Sequence, residues 1–411
     1  MSEVISENVT RNWMTRYGLA YFGSCVGWAA PSQLLLGNQL MVLRPDDKET
    51  ALSVLMMLGG AVMVVTSLIT GTLSDRTRSR WGRRMPWILA GSALCALCLV
   101  IAPFAPSYSL LLLMWAVFQM SMAFVTNNLL TVGPDVAPPK QYGTISGVLG
   151  ATYTLGLVMG TVIASALDLR TAYLVTALVL VATTLQMIFG SGLRVILRAE
   201  QQALSSRMLP ESIPSNPSAN PRTHSYRDYW WVFASRFVIH IGNYTALFYL
   251  LYYLADHIGI DDPDTGVMIL TVIYAACTVV TSLIGGSLSD QLGKRKVFVI
   301  VSSWAVAAAT LLMAFAHHMI TVVFAAVILG LAWGVFTSVD QALINESLPS
   351  EYNRSRDISI MTLTVGITNM VAGGIAALAL HNLGGYPGLY GLCAVVSFIG
   401  SLLVIPVRSS S

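Results

Sequence analysis

Long apolar runs separated by short polar turns recur near residues 18–38, 50–72, 86–104, 108–130, 142–166 and 171–190. A second set lies near 229–255, 265–288, 297–316, 319–344, 358–381 and 387–407. Each run is about as long as the roughly 20 residues that carry a helix across the hydrocarbon of a bilayer. Backbone in lipid has to satisfy its own N–H and C=O groups, so the runs predict helices and not open strands. The pattern therefore predicts an all-α membrane protein of twelve transmembrane helices in two sets of six, residues 1–190 and 229–411. Between them, residues 191–228 contain Pro210, Pro214, Pro217 and Pro221 among serines and arginines. That stretch is too polar to span and too poor in apolar side chains to pack, and it is expected to be a cytoplasmic linker.

Composition fits this picture. Lys and Arg number 23 and Asp and Glu 20, so 10% of the chain is charged, against about 25% in soluble proteins. An ordinary cytosolic domain is excluded and the lipid bilayer is the expected partner; the scattered basic residues offer no extended face for nucleic acid. Nineteen of the 23 basic residues fall in segments that are cytoplasmic if both termini are inside; only Arg44, Lys48 and Arg170 fall outside, and Arg236 lies within a helix. The positive-inside bias thus predicts cytoplasmic termini in the cytoplasmic membrane. Cys25, Cys95, Cys98, Cys277 and Cys393 all sit in apolar runs and read as small hydrophobes. No metal or cofactor site is expected.

Two echoes relate the halves. Gly71-Thr-Leu-Ser-Asp75 after the second helix matches Gly286-Ser-Leu-Ser-Asp290 after the eighth, and Asp135-Val-Ala-Pro138 matches Glu346-Ser-Leu-Pro349 after helices four and ten. Such duplication predicts pseudo-symmetric bundles with a solute site between repeats. The strings Gly71-x-Leu73-x-Asp75-Arg76 leading to Gly82-Arg83-Arg84, and Gly286-x-Leu288-x-Asp290 leading to Gly293-Lys294-Arg295, resemble the loop motif of the major facilitator superfamily. The first copy is longer, with six residues between Asp75 and Gly82 where the second has two between Asp290 and Gly293. Its string Asp75-Arg-Thr-Arg-Ser-Arg-Trp-Gly-Arg-Arg-Met-Pro86 is similar to the form in sucrose-type and glycoside-pentoside-hexuronide:cation symporters. The resemblance implies a cytoplasmic gate of Asp75, Arg76, Gly82, Arg83, Arg84, Asp290, Lys294 and Arg295. In it Asp75 would face the N-terminus of helix eleven and Asp290 that of helix five, where helix dipoles favour a carboxylate.

Polar groups at membrane depth are costly and mark a functional path by default. Arg236, His240 and Asn243 recur at spacings that share one face of helix seven, with Tyr244 beside them. A polar stripe satisfied by neighbouring helices is the plain alternative. Helix ten adds Trp333 and Asp340; Asp340 either carries a proton or pairs with Arg236, and His240 is the second proton-coupling candidate. Helix one offers Trp28 and Gln33, and helix four Gln119 and Asn127, with Asn128 adjacent. Trp28 and Trp333 can present platforms for a sugar ring while amides meet its hydroxyls. Tyr249, Tyr252 and Tyr253 are expected to be interfacial anchors, and Gly156, Gly160, Gly59, Gly60, Gly373 and Gly374 to permit close helix contact.

These features predict a secondary active transporter, monomeric, working on a small neutral solute by rocker-switch alternating access, and the resemblance to the sugar-symporter groups implies a sugar or glycoside moved with protons. Melibiose-type relatives place acidic residues in helices two and four for sodium, and this chain has none there at membrane depth. Export of an uncharged or amphiphilic metabolite is the alternative, and a non-transporting solute sensor a remote one. No HExxH or nucleophile–base pattern points to an enzyme.

Overall fold

The computed structural model describes residues 9–138, 141–187, 196–197, 226–292, 294–347 and 354–407. Among them run twelve helical rods and no strand. In the first half they are α1 (Arg11–Ala30, continuing through Pro31–Leu35 into Leu36–Leu43), α2 (Lys48–Arg76), α3 (Met85–Ile101), α4 (Tyr108–Val136), α5 (Tyr142–Ala166) and α6 (Leu169–Leu185). In the second they are α7 (Tyr226–Phe248, extended by Leu250–Tyr252 and Tyr253–Ile258), α8 (Pro263–Leu292), α9 (Arg295–Ala314), α10 (Met319–Ser347), α11 (Arg354–Asn382) and α12 (Tyr386–Leu402).

Local chemistry sets the ends. Thr10, Ser107 and Asp168 cap α1, α4 and α6, each side-chain oxygen accepting a backbone N–H in the first turn. Pro31 lacks an N–H, and α1 widens there into a π-helical stretch over Pro31–Leu35. A 47° bend separates Tyr226–Phe248 from Leu250–Ile258 in α7. Gly259, at φ 71°, then ends α7 in the left-handed conformation that glycine adopts without a Cβ clash.

The chain folds as two compact units: Met1–Leu43 with Val62–Pro217, and Arg44–Ala61 with Ser218–Ser411. The first part of α2 thus belongs to the second unit. Residues 191–228, the expected linker, lie outside the described residues except Ile196, Leu197 and the three residues that open α7.

Within the first unit, α5 packs on α1 through its glycines. A Cβ added to Gly160 would lie 2.8 Å from the Ala29 Cβ, and one at Gly156 would meet Cys25. In the second unit Gly330 and Gly334 let α10 approach α8 in the same way, and Gly60 and Gly373 hold α2 and α11 together. With lipid outside and apolar side chains inside, close packing of small residues supplies attraction that the hydrophobic effect does not. The tyrosines at the end of α7 overturn an expectation. Tyr249, Tyr252 and Tyr253 are fully buried within the second unit; Tyr253 donates to the Met313 carbonyl at 2.7 Å, and Tyr249 meets Ser53. They are core and not interfacial anchors.

Candidate functional site

In the second unit the polar face of α7 meets α10 and α11. The Arg236 guanidinium forms an ion pair with the Asp340 carboxylate, and its Nε donates to Thr364 Oγ1 at 3.1 Å. Asp340 is 3% exposed, so its charge has no water to turn to and the pair is held by mutual compensation. One turn further along α7, His240 Nδ1 lies 2.8 Å from the Arg236 carbonyl oxygen. A carbonyl only accepts, so in the neutral ring Nδ1 carries the proton and Nε2 is left as an acceptor. The ring packs edge-on against Trp333 and Phe336, with centroids 5.1 and 5.7 Å away, and near Tyr244 at 5.9 Å.

Asn243 Nδ2 donates to Tyr274 Oη at 3.5 Å, while its Oδ1 is buried without a partner. On α11, Thr368 Oγ1 and Asn369 Oδ1 are likewise buried and unpartnered. Thr364 and Thr368 stand four apart on one face of α11, and Thr364 fixes that face toward Arg236. Five expected residues, Arg236, His240, Tyr244, Trp333 and Asp340, are brought together, with Asn243 next in line on the same helix. Thr364, Thr368, Asn369 and Tyr274 are additions. The signal for the α11 residues was the run Thr364-Val-Gly-Ile-Thr368-Asn369, polar groups in an otherwise apolar helix.

The first unit places its candidates more sparsely. Trp28 is half-buried on α1, and its carbonyl accepts from Ser32 Oγ at 2.6 Å. Gln33 is buried in the π-helical stretch. On α4, Gln119 Oε1 and Asn127 Nδ2 are buried without partners.

Asn128 instead serves the loop motif. Arg84, 7% exposed, pairs with Asp75 at 2.9 Å and with Asp135 at 3.2 Å. It also donates to Ser74 Oγ at 2.9 Å, and Ser74 donates to Asn128 Oδ1 at 2.6 Å. Arg83 stands 3.8 Å from Asp75, and Gly82 takes φ 86° to turn the chain into α3. Asp75 therefore lies at the N-terminal end of α3. Asp135, part of the second sequence echo, is the missed member of this network. Arg76 is exposed. In the second copy Lys294 is exposed and Arg295 half-buried, while Gly293 and the Asp290 side chain lie outside the described residues.

The family model described as Major Facilitator Superfamily matches residues 2–161, 48–205 and 232–411. A 36-residue stretch, 9% of this chain, is 56% identical to an uncharacterized symporter of Synechocystis sp.; it spans 7% of that relative's length. Among solved structures, a peptide transporter POT in complex with sulfate aligns at TM-score 0.75 and 11% identity, over 98% of this chain and 96% of its own. A bacterial homolog of the human lysosomal transporter Spinster, inward-facing and occupied, aligns at TM-score 0.65 and 14% identity, over 96% and 94%. At those identities the likeness is one of fold.

Proposed function

Since the chain belongs to the major facilitator superfamily, an integral membrane family of transporters, we propose that it is a proton-coupled secondary transporter of a small neutral solute rich in hydroxyl groups, a sugar or glycoside. One observation carries this reading. Among the described residues the charges at the site, half-buried Arg236 and buried Asp340, neutralise each other, and the groups left to meet a solute are uncharged polar side chains and an aromatic wall. Asn243 Oδ1 and Asn369 Oδ1 are buried acceptors without a donor, and His240 Nε2 is an acceptor in the neutral tautomer that the Arg236 carbonyl selects. A polyol, whose hydroxyls both donate and accept, suits such a set and offers an apolar ring face to Trp333. The symporter relative supports the coupled direction of this reading.

Asp340 is the proposed proton carrier. Protonation would release Arg236, and the carboxylate would regain its partner when the proton leaves, linking a proton to the state of the cluster. Both termini are proposed to be cytoplasmic, on the strength of the basic-residue bias. The aromatic wall of Trp333, Phe336 and Tyr244 favours, as the second reading, export of an uncharged amphiphile.

A thermal-shift screen of the purified protein against neutral glycosides, amphiphiles, amino acids and nucleotides tests the solute class. Stabilisation by a glycoside, followed by uptake into proteoliposomes driven by an imposed pH gradient, is the expected result. Stabilisation by anionic solutes alone would overturn it.

A further inference from the structure

The last residue of α2 and the loop that leads to α3 carry five arginines, which divide into two groups. Arg83 and Arg84 turn inward to Asp75 and Asp135. Arg76, Arg78 and Arg80 are exposed, and among the described residues none of the three has a carboxylate partner; Arg80 lies over the Trp81 ring, 5.4 Å from its centroid. Trp81 itself is 39% exposed. The longer first copy of the motif has four more residues between its Asp and Gly than the second, and that enlarged segment carries Arg78, Arg80 and Trp81. The extra length therefore adds nothing to the inward network.

Nor is the loop loose. Trp87 Nε1 donates to Thr77 Oγ1 at 2.8 Å, Trp81 N–H to Ser79 Oγ at 3.2 Å, and Gly82 N–H to the Ser79 carbonyl at 2.9 Å. These bonds order the segment that presents three cations and an indole. Directly below it, α2 exposes Val65, Leu68, Ile69 and Leu73, an apolar strip that ends where the arginines begin.

We infer that this loop is a docking site for the headgroup of an anionic phospholipid in the leaflet it faces. Arginines bind phosphate through paired N–H donors, Trp81 sits at the level where an amphipathic ring is stabilised, and the α2 strip receives the acyl chains. An anionic leaflet favours each nearby basic residue additively. This does not depend on the solute or on the coupling ion.

The test uses the full chain in phosphatidylcholine nanodiscs containing a minor fraction of phosphatidylglycerol, with native mass spectrometry of the lipids that stay bound. Wild type is expected to retain phosphatidylglycerol with a preference on the order of tenfold over phosphatidylcholine. The R76Q/R78Q/R80Q variant is expected to lose that preference, and K294Q/K296Q, which removes basic residues of the other copy, to keep it. Phosphatidylglycerol brominated on its acyl chains should quench wild-type fluorescence more than that of Trp81→Phe. Equal retention by wild type and the arginine variant would overturn the site, and equal loss in the lysine variant would show only general charge attraction and overturn it too. Displacement of the lipid by inorganic phosphate would overturn the lipid as its occupant.

Discussion

Arg236 on α7 and Asp340 on α10 lie 104 positions apart in the chain and form an ion pair inside the second unit, steadied by Thr364 from α11. Removing one partner strands the other charge without water. Asp340→Asn or Arg236→Ala is expected to cost about 3–5 kcal/mol of stability. The apolar pair Arg236→Met with Asp340→Leu should recover most of it yet fail to couple transport to a proton gradient. Thermal unfolding and proteoliposome uptake, measured side by side, separate the two effects; a double variant that still accumulates solute would remove Asp340 from the coupling.

His240→Phe keeps the ring packed on Trp333 and Phe336 but deletes the Nε2 acceptor. Solute affinity is expected to fall about tenfold, the value of one hydrogen bond, with little change in melting temperature. Titration of intrinsic fluorescence with the solute found in the screen reads the first, and a thermal scan the second.

Arg84 has two carboxylates, and Asp75 is the more exposed of them. Asp75→Asn alone is expected to cost less than about 1 kcal/mol. Combined with Asp135→Asn it leaves Arg84 buried among neutral groups, and the loss should exceed the sum of the single ones by about 1–3 kcal/mol. A double-mutant cycle in chemical denaturant measures the excess, and strict additivity would mean that the carboxylates do not share the arginine.

Gly160→Val is expected to drive α5 off α1 and cost about 1–3 kcal/mol, because the added Cβ meets Ala29 and Ala30. Gly147→Ala, on the same helix with open space around it, should be neutral or slightly stabilising. Similar melting temperatures for both variants would show that the contact is not tight.

Accessibility of introduced cysteines tests the orientation. In a background lacking Cys25, Cys95, Cys98, Cys277 and Cys393, an impermeant thiol reagent added to intact cells is expected to label Asp46→Cys and to spare Ser79→Cys. The opposite pattern would invert the proposed topology.

The rods were legible in the chain because a span through lipid leaves little choice: α5 runs over Tyr142–Ala166, where the apolar pattern placed it. Ends were harder. α1 starts at Arg11 and α7 at Tyr226, earlier than their apolar runs begin, because polar residues at an interface continue a helix without any hydropathy signal. The polar stripe of α7 was legible through its spacing of three and four, and so was the loop motif through its repetition. Tyr249, Tyr252 and Tyr253 were misread because hydropathy does not tell an aromatic side chain facing lipid from one facing protein.

The sequence alone determined that the chain lives in a membrane, how often it crosses and which residues at depth carry polarity, since burial of backbone and charge in hydrocarbon is penalised wherever it occurs. Only the tertiary structure decided who meets whom: that Asp340 is bound to Arg236, that Thr364 joins the pair from α11, and that Arg84 turns inward while Arg76, Arg78 and Arg80 do not. Pairing between helices depends on their rotation and depth, which a one-dimensional pattern of apolar and polar positions leaves free.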